Sequence, residues 1–206
     1  MKTRIINSRS SISFLRASLA LKLGKIVAIP TDTVYGVAVR INKASSIEKL
    51  YQIKVREHTK AIPVLLGDIS QLEEVTPVIS QSLLNLAKKF WPGPLTIIVP
   101  KHPNLPENLS PTATLGIRIP KHPAAIKILK SVGPLAVTSA NISGSKDTNT
   151  AEEVLAQLDG KINLILDGGE SDSGVPSTVV DLTGEEIKIL RAGSIELVDI
   201  QKALSI

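Results

Sequence analysis

Cysteine is absent from the 206 residues. That removes disulfides, thiol nucleophiles and thiolate metal sites together. Aromatic side chains are scarce: Trp91, Tyr35, Tyr51, Phe14 and Phe90 make up 2% of the chain. The core must therefore be built from Ile, Leu, Val and Ala, and a surface of stacked aromatic platforms is not expected. No run of about 18 apolar residues occurs, so no transmembrane helix is expected. The histidines are His58, His102 and His122, scattered and without metal-ligand spacing, so they read as surface loop imidazoles and no protein metal site is expected. Acids are missing from the first 22 residues, which are rich in Ser, Lys and Arg. A transit peptide has such a composition, but Arg16 and Lys22 interrupt the apolar stretch and a strand pattern follows directly. It reads instead as the first strand and helix of the fold, in a cytoplasmic protein with no membrane partner.

What remains is an ordinary globular composition, 43% hydrophobic and 21% charged. A chain of this length forms one domain, 1–206, that buries about 70% of its unfolded surface. The net charge is +5 and the pI near 9.4, a mild basic excess compatible with anionic ligands. Helix and strand patterns alternate. Ser11–Leu23 carries Ile12, Leu15, Leu19 and Leu23 at helical spacing, with Gly24 placed to stop it. Lys25–Pro30, Val37–Ile41, Ile62–Leu66, Thr96–Val99, Gly116–Ile119, Leu135–Thr138, Leu164–Leu166, Ser177–Leu182 and Ile187–Leu190 read as strands. Ser45 with Glu48, and Thr150 with Glu153, read as capping boxes for helices ending at Ile53 and Leu158. Ser70 with Glu73 opens a short helix, Pro77–Phe90 a longer one, and Pro123–Leu129 and a segment from near Val198 complete the helices. The fold class is α/β: one twisted, mixed, open sheet flanked by helices.

Several loops at strand ends carry polar chemistry, and strand ends are where ligands bind in open α/β sheets. Pro30-Thr31-Asp32-Thr33-Val34-Tyr35-Gly36 offers hydroxyls and a glycine for close backbone approach, and reads equally as a polar turn with Asp32 bonding its own backbone. Lys54 and Arg56 stand at i and i+2 just past a helix; in an extended segment both would point at one polyphosphate. Helix C-capping by cations is the bland alternative. Ser139-Ala140-Asn141-Ile142-Ser143-Gly144 is a dense hydrogen-bonding corner but not a Walker loop. Asp167-Gly168-Gly169 and Pro176-Ser177-Thr178 flank strands in the same way. Arg118, inside an otherwise apolar strand, needs an anionic partner, and Arg191 raises the same question. Neither a Ser-His-Asp arrangement nor a carboxylate pair stands out. The shared chemistry is hydroxyls, amides and cations, which suits phosphoryl or nucleotidyl transfer by positioning and charge neutralisation.

Taken together these segments resemble the threonylcarbamoyl-AMP synthase family, the YrdC-like domain of tRNA modification. The resemblance rests on IVAIPTDTVYGVAV at 26–39, Lys54-Val55-Arg56, WPGPLTIIV at 91–99, GIRIP at 116–120, Ser139-Ala140-Asn141 with Ile142-Ser143-Gly144, PSTVVDLTG at 176–184 and ILRAGSI at 189–195, in the family's order. It implies a reaction in which L-threonine, bicarbonate or CO₂, and ATP give threonylcarbamoyl-AMP and pyrophosphate. The product would pass to a tRNA threonylcarbamoyltransferase that modifies adenosine 37. By the resemblance Lys54 and Arg56 are catalytic and bind ATP with Ser139, Asn141 and Arg191. Thr31, Arg118 and Ser177 position threonine, Arg118 by its carboxylate, and Tyr35 lines the pocket. Mg²⁺ is expected with ATP, held mainly by phosphates and water. Weak binding of tRNA or double-stranded RNA is allowed by the charge. Two residues depart from the pattern: Glu57 replaces a common proline, and Asp147 stands where a serine contact to ATP is common, so that contact is not transferred. The sequence ends soon after Arg191, so the extra C-terminal domain of longer members is not expected. An RNA-binding or ribosome-maturation module without turnover is the competing reading. A carbamoyl-adenylate domain of hydrogenase-maturation type is a third, disfavoured by length and the lack of cysteine.

Overall fold

Short runs of Val, Ile, Leu and Ala between polar loops become the strands of one sheet. The structure, a computed structural model, describes residues 2–171, 174–184 and 186–204. In chain order the elements are β1 (Arg4–Asn7), α1 (Ser11–Lys22), β2 (Val27–Ile29), β3 (Gly36–Arg40), α2 (Ala44–Lys54), β4 (Val64–Leu65), α3 (Gln81–Phe90) and β5 (Leu95–Pro100). They continue with β6 (Thr114–Arg118), α4 (Pro123–Val132), β7 (Leu135–Ser139), α5 (Ala151–Leu158), β8 (Leu164–Asp167), β9 (Thr178–Asp181), β10 (Lys188–Arg191) and α6 (Leu197–Leu204). The ten strands lie in the order β1-β8-β2-β3-β7-β4-β6-β5-β9-β10. Pairings are mixed: β1–β8, β8–β2, β4–β6 and β5–β9 are parallel, and the remainder antiparallel. The expected mixed open sheet is what forms.

Alternation of side chains along the strands gives the sheet two apolar faces. Val37, Val39, Ile97, Ile117 and Ile165 join one core with Ile47 and Leu50 of α2, Leu83 and Leu86 of α3, Val154 of α5 and Ile200 of α6. Val27, Ile29, Ala38, Leu135 and Leu166 face the other way, against Ala17 and Leu21 of α1 and Ile128 and Leu129 of α4. On that second face α1 lies over β8, β2 and β3, with α4 beside it. Among the described residues the rest of that face carries no helix, since α2, α3, α5 and α6 pack in the first core.

Several helix starts differ from the sequence expectation. Ser45 and Glu48 form no capping box: α2 begins at Ala44, and its N-cap, Lys43, makes no side-chain cap bond. Ile69–Glu74 is a 3₁₀ turn capped by Asp68, not a helix opened by Ser70. The helix expected from Pro77 starts at Gln81, because Ser80 caps it by accepting from the Leu83 N–H at 3.2 Å. Thr150 does cap α5, accepting from the Glu153 N–H at 3.2 Å, while the Glu153 carboxylate reaches back to the Asn149 N–H at 2.7 Å. The first strand and helix form as expected. Ala17, Ser18, Ala20 and Leu21 are buried, while Ile12, Leu15, Leu19 and Leu23 face outward.

Candidate active site

Leu65 of β4 and Val137 of β7 belong to the core under α1 and α4, and they also line an open cleft next to it. Gly36, Thr96 and Arg118 line the same cleft from neighbouring strands, so it occupies the part of that sheet face that no helix covers. It is a shallow recess open to solvent, with about 180 Å³ of enclosed space. Gly36 is required by close approach: a Cβ there would sit 2.5 Å from Val137 Cγ1. The remaining walls include Thr31, Thr33, Val34, Tyr35, Arg56, Ser139, Asp147, Pro176, Ser177 and Arg191.

Arg118 is 5% exposed, and its buried charge is paired inside the protein. Its Nη2 donates to Asp32 Oδ1 at 2.5 Å, Nη1 to Thr33 Oγ1 at 3.0 Å and Nε to the Gly93 carbonyl at 2.9 Å. Asp32 Oδ1 also accepts from the Lys121 N–H at 2.9 Å. The anion that Arg118 needed is therefore Asp32, 86 residues away in sequence, and not solely an external carboxylate. Three of the five guanidinium N–H groups are used, which leaves one each on Nη1 and Nη2 for a ligand. Thr31 is occupied locally: its hydroxyl donates to the Val34 carbonyl at 2.7 Å and accepts from the Thr33 N–H at 3.1 Å. Tyr35 braces the Asp167-Gly168-Gly169 loop, donating to the Gly169 carbonyl at 2.7 Å and accepting from the Gly168 N–H at 3.1 Å. Burial pushes its phenol up to about 12, so it stays neutral.

Lys54 and Arg56 do not sit in an extended segment. Lys54 is the last residue of α2, and Val55 adopts a left-handed conformation with φ 50 and ψ 45. That reversal sends Lys54 inward and Arg56 to the cleft wall. Val55 itself is 75% exposed, so packing does not reward a β-branched residue there. Val55→Asn is expected to raise the unfolding free energy by about 1 kcal/mol, since asparagine tolerates this conformation, as urea titration would show.

Lys54 is 1% exposed and lies behind the cleft wall. Its Nζ donates to the Ser139 carbonyl, to Ser139 Oγ at 3.3 Å and to Asn141 Oδ1 at 2.8 Å. Burial pushes this ammonium down to about 8, Arg56 adding to the fall and Asp147 opposing it. Ser139 Oγ donates to Asn141 Oδ1 at 2.7 Å, and Asn141 Nδ2 donates to the Ser145 carbonyl at 2.6 Å and to Asp147 Oδ1 at 3.2 Å. Arg56 is held by the carbonyls of Lys60 at 3.1 Å and Ala61 at 2.9 Å. Glu57 turns away to Lys60 at 3.5 Å, so it does not cancel the charge of Arg56 in the cleft. Across the cleft, Arg191 donates to the carbonyl and hydroxyl of Ser177 at 3.0 and 2.9 Å, and Ser177 Oγ lies 2.8 Å from Thr96 Oγ1.

Seven of the nine site residues named from sequence thus line one cleft, and Lys54 and Asn141 support its wall from behind. Sequence reasoning missed Asp32 as the partner of Arg118, and Thr33, Thr96 and Asp147 as lining residues. A buried arginine demands an acid, which was the available signal for Asp32. Arg56, Arg118, Arg191 and Lys54 outnumber Asp32 and Asp147, so the cleft favours a polyanion. No group of three or more potential metal-ligating side chains occurs among the described residues, and the histidines sit in loops or caps.

A family model for Sua5, YciO and YrdC, described as telomere recombination, matches residues 19–193. The threonylcarbamoyl-AMP synthase of Pyrococcus abyssi is 36% identical over 207 residues, covering 98% of this chain and 61% of its own length. That of Bacillus subtilis is 39% identical over 186 residues, covering 87% of this chain and 53% of its own. The chain therefore spans between half and two thirds of these relatives. The structure of P. abyssi Sua5 complexed with L-threonine superposes with a TM-score of 0.94 at 33% identity, covering 99% of this chain and 61% of that one. With the family model spanning most of its length, the chain belongs to the Sua5/YciO/YrdC family.

Proposed function

We propose that this chain is a nucleotidyltransferase that forms L-threonylcarbamoyl-AMP and pyrophosphate from L-threonine, bicarbonate or CO₂, and ATP. The observation that carries the reading is the single cleft in which Arg56, Arg118, Arg191 and the Ser139 corner converge, backed by Lys54. The threonine amine attacks CO₂, forming a C–N bond and releasing a proton. A carbamate oxygen then attacks the α-phosphorus, a P–O bond breaks, and pyrophosphate leaves with the electron pair. Lys54 and Arg56 neutralise the leaving phosphates, while Ser139, Asn141 and Arg191 hold the nucleotide. The two spare N–H groups of Arg118 take the threonine carboxylate, with Thr31, Tyr35 and Ser177 shaping its place. Rate comes from positioning and from charges set before the reaction begins. When bound with ATP, Mg²⁺ would neutralise phosphate charge. The donor set fits this, since Asp147 is the carboxylate that lines the cleft and phosphates and water supply the other ligands.

The product then serves a tRNA threonylcarbamoyltransferase acting on adenosine 37, in the cytoplasm. No described helix is long and apolar enough to cross a membrane. An RNA-binding module without turnover is the weaker reading, because Arg56, Arg118 and Arg191 converge on one recess instead of spreading over a surface. The test of substrate choice is pyrophosphate release with ATP, Mg²⁺ and bicarbonate. Release is expected to require threonine, and threonine-independent release would reject the assignment.

The depressed Lys54 also makes a pH prediction. The free cleft holds Lys54 half-charged at about pH 8, and a triphosphate needs it charged. Nucleotide affinity is therefore expected to fall about tenfold from pH 7 to pH 9, and the fall should vanish in Lys54→Met. Equilibrium titration with a non-hydrolysable ATP analogue measures it. Folding has the opposite trend: the native state binds fewer protons between about 8 and the ordinary 10.5, so stability rises with pH across that window.

A further inference from the structure

The cleft is locally cationic, but the N-terminal segment carries more excess positive charge. Residues 1–31 hold Lys2, Arg4, Arg9, Arg16, Lys22 and Lys25 with no acid, leaving eighteen cations against nineteen acids in residues 32–206. That N-terminal segment also carries the most exposed apolar ridge of the fold. Ile12, Leu15, Leu19 and Leu23 are 65%, 67%, 54% and 58% exposed. At about 100° per residue they fall in an arc of about 80° on the outer side of α1, with Arg16 bordering one edge and Lys22 the other. The 3-4-4 spacing is a helix-pairing seam, narrower than the face a helix uses to join its own core. None of Arg9, Arg16, Lys22 and Lys25 forms an ion pair among the described residues. Beside α1, the exposed Lys127 of α4 lies 4.4 Å from the Phe14 ring and extends the basic surround.

We propose that the outer ridge of α1 docks a partner protein through an amphipathic helix whose apolar seam is flanked by Asp and Glu. Charge complementarity selects this occupant. A second copy would set Arg16 and Lys22 against their own kind. RNA would answer the cations but not four aliphatic side chains. A bilayer would answer both, but α1 stands on the sheet face that also holds the cleft, so a flat surface on the ridge would lie across the cleft mouth. A helix seated along α1 leaves the mouth open and stands next to it. That place suits an enzyme consuming a labile acyl-phosphate-type product, although the docking does not rest on the proposed reaction.

The probe is a labelled 21-residue peptide with Leu at its seam positions and Glu on both flanks, and a sister peptide with Lys on the flanks, titrated into the full chain by fluorescence anisotropy. The acidic peptide is expected to bind at least tenfold more tightly than its sister and to weaken with salt. Leu15→Ser with Leu19→Ser should lower that affinity at least tenfold without changing the melting temperature or ATP-analogue binding. Arg16→Glu with Lys22→Glu should reverse the preference between the two peptides. Equal binding of both peptides, or binding of neither, overturns the proposal. So does a ridge-dependent dimer in sedimentation equilibrium, or ridge-dependent uptake by phosphatidylglycerol vesicles or by tRNA.

Discussion

Lys54→Ala is expected to lower threonine-dependent pyrophosphate release by at least about a hundredfold. Losing one preorganised charge that acts on the transition state costs about 2.7–4 kcal/mol, which is 10²–10³ in rate. Lys54 has a second task, since its ammonium ties the Ser139 carbonyl and Asn141 Oδ1 together behind the cleft wall. Removing it leaves buried acceptors unpaired, at about 1–3 kcal/mol, partly offset because an ammonium no longer has to be buried. Melting temperature and turnover measured on the same sample separate the two effects. A loss of turnover that merely follows the loss of folded protein would assign Lys54 to structure alone. Arg56→Ala should cost less, about tenfold, because Arg56 is tied only to loop carbonyls and the other cations remain.

The largest effect on stability is expected at Asp32. Asp32→Ala leaves the buried Arg118 guanidinium without its counter-charge, a change that costs about 3–5 kcal/mol in buried pairs. Because whole domains are stable by about 5–15 kcal/mol, the variant should be close to the margin. Adding Arg118→Ala to Asp32→Ala should restore part of the loss, since the uncompensated charge is then gone. Urea unfolding of the two single variants and the double variant reads this cycle. If Asp32→Ala costs under about 1 kcal/mol, water reaches the pair and Arg118 is not held by it. Asp32→Asn keeps an acceptor for the Lys121 N–H and should fall between. With Asp32 intact, Arg118 presents a fork already fixed in direction, as the proposed hold on the threonine carboxylate requires.

The central strands were legible because their sequences are short, mostly apolar runs that end at polar loops, as at Val27–Ile29 and Leu135–Ser139. The site was legible as a set of motifs, but not as a geometry. Arg56 reaches the cleft and Lys54 the back of its wall by way of a left-handed Val55, a conformation that the residue type argues against. Nothing local to Arg118 marks Asp32, because the pair is made by tertiary folding across 86 residues. Which face of α1 is buried is also not legible from spacing. Large aliphatics at helical spacing ordinarily mark the buried side, yet here the small Ala17, Ser18 and Ala20 let the helix lie close to the sheet and to α4. The aliphatic row was left outside, which periodicity alone does not register.

The most direct measurement is mass spectrometry of the product formed from ATP, Mg²⁺, L-threonine and ¹³C-labelled bicarbonate. The account predicts an AMP adduct that contains threonine and one labelled carbon, formed with an equal amount of pyrophosphate. Pyrophosphate without that adduct, or an adduct lacking the label, would contradict it.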